Sequence, residues 1–158
     1  METSEFFNSI REGNLERTAA LLEAHPDLLS SRDQRGSTPL FLAGYYNQAE
    51  VVRLLLDKGA VVDEKDGSGN TALMGACFKG YAGIAEILID AGANVNERNG
   101  LGGTCLIFAI TFNREPIAHL LLEKGARADA KDPEGKTALD HARSQGMHSL
   151  IPILEAQS

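Results

Sequence analysis

Tryptophan is absent from this chain of 158 residues, cysteine occurs twice, and aromatic residues of all kinds make up only 6%. Cys77 and Cys105 stand 28 residues apart with no CxxC pair and no Cys/His cluster. That spacing argues against a disulfide framework or a metal site and reads as two reduced structural thiols. Long apolar runs are missing too. The stretch "IAEILI" is interrupted by Glu86 and falls far short of the roughly 20 residues a bilayer span needs. The opening residues, "METSEFFNSIREGN", carry Glu2 and Glu5 and no apolar segment of leader length, so cytoplasm is the expected location. Positive charge is in deficit: 15 Lys and Arg face 22 Asp and Glu, for a net charge of −7 and a pI near 5.1. Phosphate backbones select the opposite balance. Neither nucleic acid nor a membrane is an expected partner.

What the chain does have is a period. Gly36, Gly69, Gly102 and Gly135 are spaced by 33 without a gap, as are Thr38, Thr71, Thr104 and Thr137, and Leu40, Leu73, Leu106 and Leu139. The pairs Gly59-Ala60, Gly92-Ala93 and Gly125-Ala126 recur at the same interval. Self-similarity at a fixed period of this length is the signature of a stacked repeat.

Each unit reads as turn, helix, turn, helix, loop. Asp33 and Gly36 open a tight turn, and Thr38 stands where a hydroxyl accepts a free backbone N–H of the first helical turn. Pro39 follows at a position where its missing N–H costs nothing. The first helix should end at residues 47, 80, 113 and 146, which are Asn, Gly, Asn and Gly, the residue types that tolerate left-handed backbone. Second helices follow in "AEVVRLLLDKG", "AGIAEILIDAG" and "EPIAHLLLEKG", stopped by Gly59, Gly92 and Gly125. Extended polar segments such as "AVVDEKD" and "ANVNERN" then lead to the next unit.

The segments "GSTPLFLAGYYN", "GNTALMGACFKG", "GGTCLIFAITFN" and "GKTALDHARSQG" resemble ankyrin repeats, whose unit of 33 residues carries a Thr-Pro-Leu-His type of motif. The resemblance covers essentially the whole chain. It implies an all-α solenoid of stacked helix-turn-helix repeats joined by β-turn or hairpin loops. The expected division is an N-terminal capping unit over 1–32, internal repeats over 33–65, 66–98 and 99–131, and a C-terminal capping unit over 132–158. Ala or Cys replaces the motif proline in three units, and Phe41, Met74, Ile107 and Asp140 replace its histidine. Those departures loosen the hydrogen bonding between motif and neighbouring turn.

The ends differ from the interior. The first unit lacks the Gly-x-Thr turn yet keeps the register if Asn14 is matched to Asn47 and Leu21-Leu22 to Leu54-Leu55, with Phe6, Phe7 and Ile10 turned inward. In the last unit Pro152 falls inside the expected second helix, where an interior proline costs about 3 kcal/mol, so a kink or fraying is expected.

No side-chain constellation points to catalysis. His119 lies on an apolar helix stripe and reads as a packing residue; His141 and His148 are separated by the break at Gly146. Cys77 and Cys105 read as small buried hydrophobes. Gly100, Gly102 and Gly103 lack the Gly-Lys-Ser/Thr ending of a phosphate loop. Asn96 is similar to the hairpin asparagines that protein asparaginyl hydroxylases modify in ankyrin repeats; the alternative is a side chain bracing its own hairpin. No enzyme activity, cofactor or metal is expected.

What the resemblance implies instead is a binding module, an adaptor, scaffold or inhibitor that is a monomer when free and takes another protein in a concave groove. The alternative is a mainly structural, self-associating subunit of a larger assembly. Carried over position by position, the partner-facing residues at the turn tips are Arg35, Ser37, Ser68, Asn70 and Leu101. Those at the ends of the first helices are Tyr45, Tyr46, Phe78, Lys79, Thr111 and Phe112. Four of the nine aromatic residues (Tyr45, Tyr46, Phe78 and Phe112) occupy these helix-end slots. They form either an aromatic ribbon along the groove or a seal between neighbouring units.

Overall fold

The computed structural model describes residues 2–157, which form ten α-helices and one 3₁₀ helix, with no β-strand beyond two isolated bridges among the described residues. The helices come in antiparallel pairs. The first members are α1 (Glu2–Glu12), α3 (Pro39–Tyr45), α5 (Ala72–Lys79), α7 (Cys105–Thr111) and α9 (Ala138–Gln145). The second members are α2 (Leu15–Ala24), α4 (Ala49–Asp57), α6 (Ala82–Asp90), α8 (Glu115–Glu123) and α10 (Ile151–Gln157). Each first helix packs on the next first helix, α2, α4, α6 and α8 pack in a parallel row, and each pair packs within itself. This is an all-α repeat solenoid.

Helices of seven to nine residues do not persist alone in water, so burial between neighbours must hold them. Leu55, Leu88 and Leu121 are fully buried, as are Ala43, Ala76, Ala109 and Ala142 on the first helices. The threonines expected as caps act as caps. The hydroxyl of Thr38 accepts from Phe41 N at 3.0 Å, and Thr71, Thr104 and Thr137 do the same for Met74, Ile107 and Asp140. In the last unit Asp140 reciprocates, its Oδ2 accepting from Thr137 N at 2.9 Å. The first helices end in left-handed residues as expected: Asn47 has φ 58°, Asn113 61°, and Gly80 and Gly146 take the same region.

Two expectations are corrected. In the first unit the left-handed residue is Gly13, at φ 69°, not Asn14. Asn14 instead caps α2, its Oδ1 accepting from Arg17 N at 3.0 Å. The first unit is therefore offset by one residue from the others, and a 3₁₀ helix over Pro26–Ser30, burying Leu28, takes up the difference. At the other end Pro152 does not kink a helix. The chain turns through 148–150, α10 begins only at Ile151, and Pro152 lies in its first turn, where no N–H is required.

Cross-links between loops tie successive units. Lys65 Nζ donates to Arg98 O at 3.2 Å, and Arg98 Nη1 to Lys131 O at 2.9 Å. Asn96 braces the following unit rather than its own hairpin: its Oδ1 accepts from Arg127 N at 2.8 Å and its Nδ2 donates to Gly125 O at 3.2 Å.

Candidate partner-binding groove

Each turn tip is built on one carboxylate or amide oxygen. Asp33 Oδ1 accepts the N–H groups of Arg35 and Ser37, Asp66 Oδ1 those of Ser68 and Asn70, and Asp132 Oδ1 those of Glu134 and Lys136. Asn99 does the same for Leu101 and Gly103 and also donates from Nδ2 to Asn70 Oδ1 at 3.0 Å. These Asx turns fix the tips and leave the side chains of Arg35, Ser68 and Leu101 exposed. Leu101 is 79% exposed, the most exposed large apolar side chain among the described residues.

Opposite the tips, the ends of the first helices carry two groups of rings. In the first, Phe41 is buried and Tyr45 stacks on it with centroids 5.6 Å apart and planes 17° apart. Tyr46 meets Tyr45 edge-on at 5.9 Å. Lys79, from the next unit, places Nζ 4.9 Å from the Tyr45 ring centroid. In the second group Phe78 touches both Phe108 (4.7 Å) and Phe112 (5.7 Å). Tyr45, Tyr46 and Phe112 are 36%, 45% and 48% exposed, while Phe78 and Phe108 are half-buried against the core. Adjacent tyrosines on one short helix thus do different things: Tyr45 lies along the helix over Phe41, and Tyr46 stands outward beside it.

Between tips and helices runs an open cleft of about 410 Å³. It gathers six residues that the repeat register places at partner-facing positions: Arg35, Ser37, Tyr45, Tyr46, Asn70 and Phe78. Ser37 is buried, with its N–H held by Asp33, and forms part of the cleft wall. Asn70 is half-buried and committed to Asn99. Lys79 joins the group through Tyr45, and Phe112 through Phe78; Ser68, Leu101 and Thr111 are exposed outside this cleft.

Three lining residues escaped the repeat pattern: Arg11, Phe41 and Leu42. Arg11 comes from the offset first unit and pairs with Asp33 Oδ2 at 3.6 Å. Phe41 holds the motif-histidine position, and the clue to its reach is Gly75, where a Cβ would stand 2.9 Å from its ring. Phe108, which supports Phe78, has a similar clue in Gly103, which is buried and leaves room for the ring.

Elsewhere the chemistry is quiet. Cys77 and Cys105 are both fully buried and unbridged, and the Cys105 contact together with burial holds the Cys77 thiol well above its ordinary value. A thiol held neutral is no nucleophile. His119 hydrogen-bonds Ser149 at 3.2 Å, and His141 bonds Asp132 at 2.7 Å. Among the described residues no group of three His, Cys, Asp or Glu side chains is placed to hold a metal ion, and no helix is long and apolar enough to cross a membrane.

A solenoid of paired helices with Asx-turn tips facing first-helix ends defines the class: a helical repeat protein. Comparison with family models gives the family. Residues 6–99 match the model for ankyrin repeats in three copies, and residues 88–142 match the model for ankyrin repeats in many copies. The chain belongs to the ankyrin repeat family, whose members generally mediate protein–protein interaction.

Proposed function

We propose that this chain is a non-catalytic interaction module, an adaptor, scaffold or inhibitor of the cytoplasm, which as a free monomer binds a partner protein in the cleft between its turn tips and first helices. The observation that carries this reading is the arrangement of Tyr45, Tyr46 and Phe112. Each is a third to a half exposed; Tyr45 is backed by Phe41, Phe112 by Phe78, and Tyr46 meets the edge of Tyr45. Rings that are pre-positioned lose little entropy when a partner covers them, which is what an interface anchor requires. A seal between repeats would have its rings buried, as Phe41 is.

Site-specific photo-crosslinking tests the reading. A benzoylphenylalanine at position 46 should trap a discrete partner in native lysate, competed by excess unlabelled protein and lost on Phe78→Ala. The same probe at Arg53, an exposed second-helix position, should not. Equal trapping at both positions would sink the groove, and a crosslink only to a second copy of the chain would favour the self-associating reading.

A further inference from the structure

From the donor and acceptor inventory of the cleft we infer the chemistry of its occupant: a short segment in which carboxylate side chains flank one apolar or aromatic residue. The inference rests on the groove reading above and adds the ligand class. Arg35 and Lys79 form no ion pair with any described carboxylate. The phenol hydroxyls of Tyr45 and Tyr46 make no hydrogen bond within the described residues. The cleft therefore offers one cation without an ion pair, Arg35, and two free hydroxyls around an aromatic floor, with a second such cation, Lys79, beside it over the Tyr45 ring.

Negative charge lining the cleft, by contrast, is spent. Asp33 is its one lining carboxylate; Oδ1 is taken by two backbone N–H groups and Oδ2 faces Arg11. Contact with the Tyr45 ring holds the Lys79 ammonium beside the apolar floor, so that a carboxylate and an anchoring side chain can be met together. This patch has the opposite sign to the chain, whose net charge is −7. A long polyanion would meet the carboxylates of the remaining surface and be repelled, which favours a short acidic segment of a protein over nucleic acid.

An unbiased phage-displayed peptide library panned on the intact protein tests this. The selected peptides should be enriched in Asp and Glu around a Trp, Phe or Leu. A synthetic peptide of that consensus should bind about tenfold more weakly when its acidic residues are changed to Lys, and also to the Arg35→Glu/Lys79→Glu variant. Both side chains are exposed and in no ion pair, and the variant gives up only the Lys79–Tyr45 contact, so it should still fold; binding by the parent protein should also weaken with added salt. Peptides that compete at Tyr46 and Phe78 without acidic enrichment, or binding that ignores charge reversal, would overturn the acidic ligand while leaving the groove standing. A library with no binders, or with binders indifferent to Tyr46→Ala, would overturn both. A short oligothymidine binding as tightly as the consensus peptide would assign the cations to phosphate instead and end the proposal.

Discussion

The ring of Phe108 fills the space that a side chain at residue 103 would need: a Cβ on Gly103 would lie 2.4 Å from Phe108 Cζ. The same ring leans on Phe78 at 4.7 Å, so Gly103 sets the position of the second aromatic group at one remove. Gly103→Ala should push Phe108 aside and cost about 1–3 kcal/mol, the usual cost of overpacking. Gly103→Ala/Phe108→Ala should cost less than the two single changes added, because the clash is already gone. Urea denaturation of the four proteins measures the coupling. Strict additivity would mean that the contact is not felt.

Leu88 is the central member of the row Leu55, Leu88 and Leu121, all with no exposed surface. Leu88→Ala should cost about 2–5 kcal/mol by leaving a cavity. Since α6 packs on both α4 and α8, the damage should reach the units on either side. Hydrogen exchange should show amides of α4 and α8 losing protection with those of α6. Protection lost in α6 alone would contradict nearest-neighbour coupling.

The internal units were legible because turn, cap and helix stop recur at one interval of 33, and each has its own residue chemistry. The first unit was not, for a local reason. Gly13 and Asn14 are neighbours, and both types suit a left-handed helix end, so propensity could not choose between them. The cap decides: Asn14 is taken by Arg17 N at the start of α2, which leaves the left-handed stop to Gly13. Pro152 misled because the reading assumed the register of the inner units, whereas α10 starts late enough to place the proline in its first turn. At the groove, the helix-end slots carried the exposed rings into view. The supports, buried Phe41 and half-buried Phe108, follow from close approaches to Gly75 in the next unit and to Gly103 in the same one, which only the folded backbone creates.

The last turn should be sensitive to acid. Asp132 is held below the usual carboxylate range first by the backbone N–H of Lys136, and also by His141 and Glu134 N. Asp140 is lowered first by Thr137 N. A depressed folded-state pKa means that stabilisation is complete above the unfolded value of about 3.9 and is lost as pH falls through the lower folded value. Amides of 132–146 should therefore lose protection below about pH 4, ahead of the central units. Asn99 performs the same double acceptance with a group that does not titrate there. Asp132→Asn should keep the turn and shrink this acid sensitivity; a pH profile identical to the parent's would remove Asp132 from the explanation.

Tyr45 and Tyr46 should separate folding from binding, and by different amounts. Tyr46 is 45% exposed and touches Tyr45 only by its edge, so Tyr46→Ala should stay within about 0.5 kcal/mol of the parent's stability, as surface changes do. Tyr45 gives up its stack on Phe41 and its contact with Lys79, so Tyr45→Ala should cost somewhat more, about 0.5–1.5 kcal/mol. Neither approaches the roughly 3–5 kcal/mol expected when a core aromatic is cut to Ala. At an interface the ranking inverts, because an anchoring ring contributes about 2 kcal/mol or more once a partner excludes water from it. Tyr45→Ala/Tyr46→Ala, and separately Phe112→Ala, should keep most of the melting temperature while weakening the trapped partner at least about tenfold. If the double variant unfolds and binding disappears only with the fold, the rings are packing between repeats, and the groove has lost its anchors.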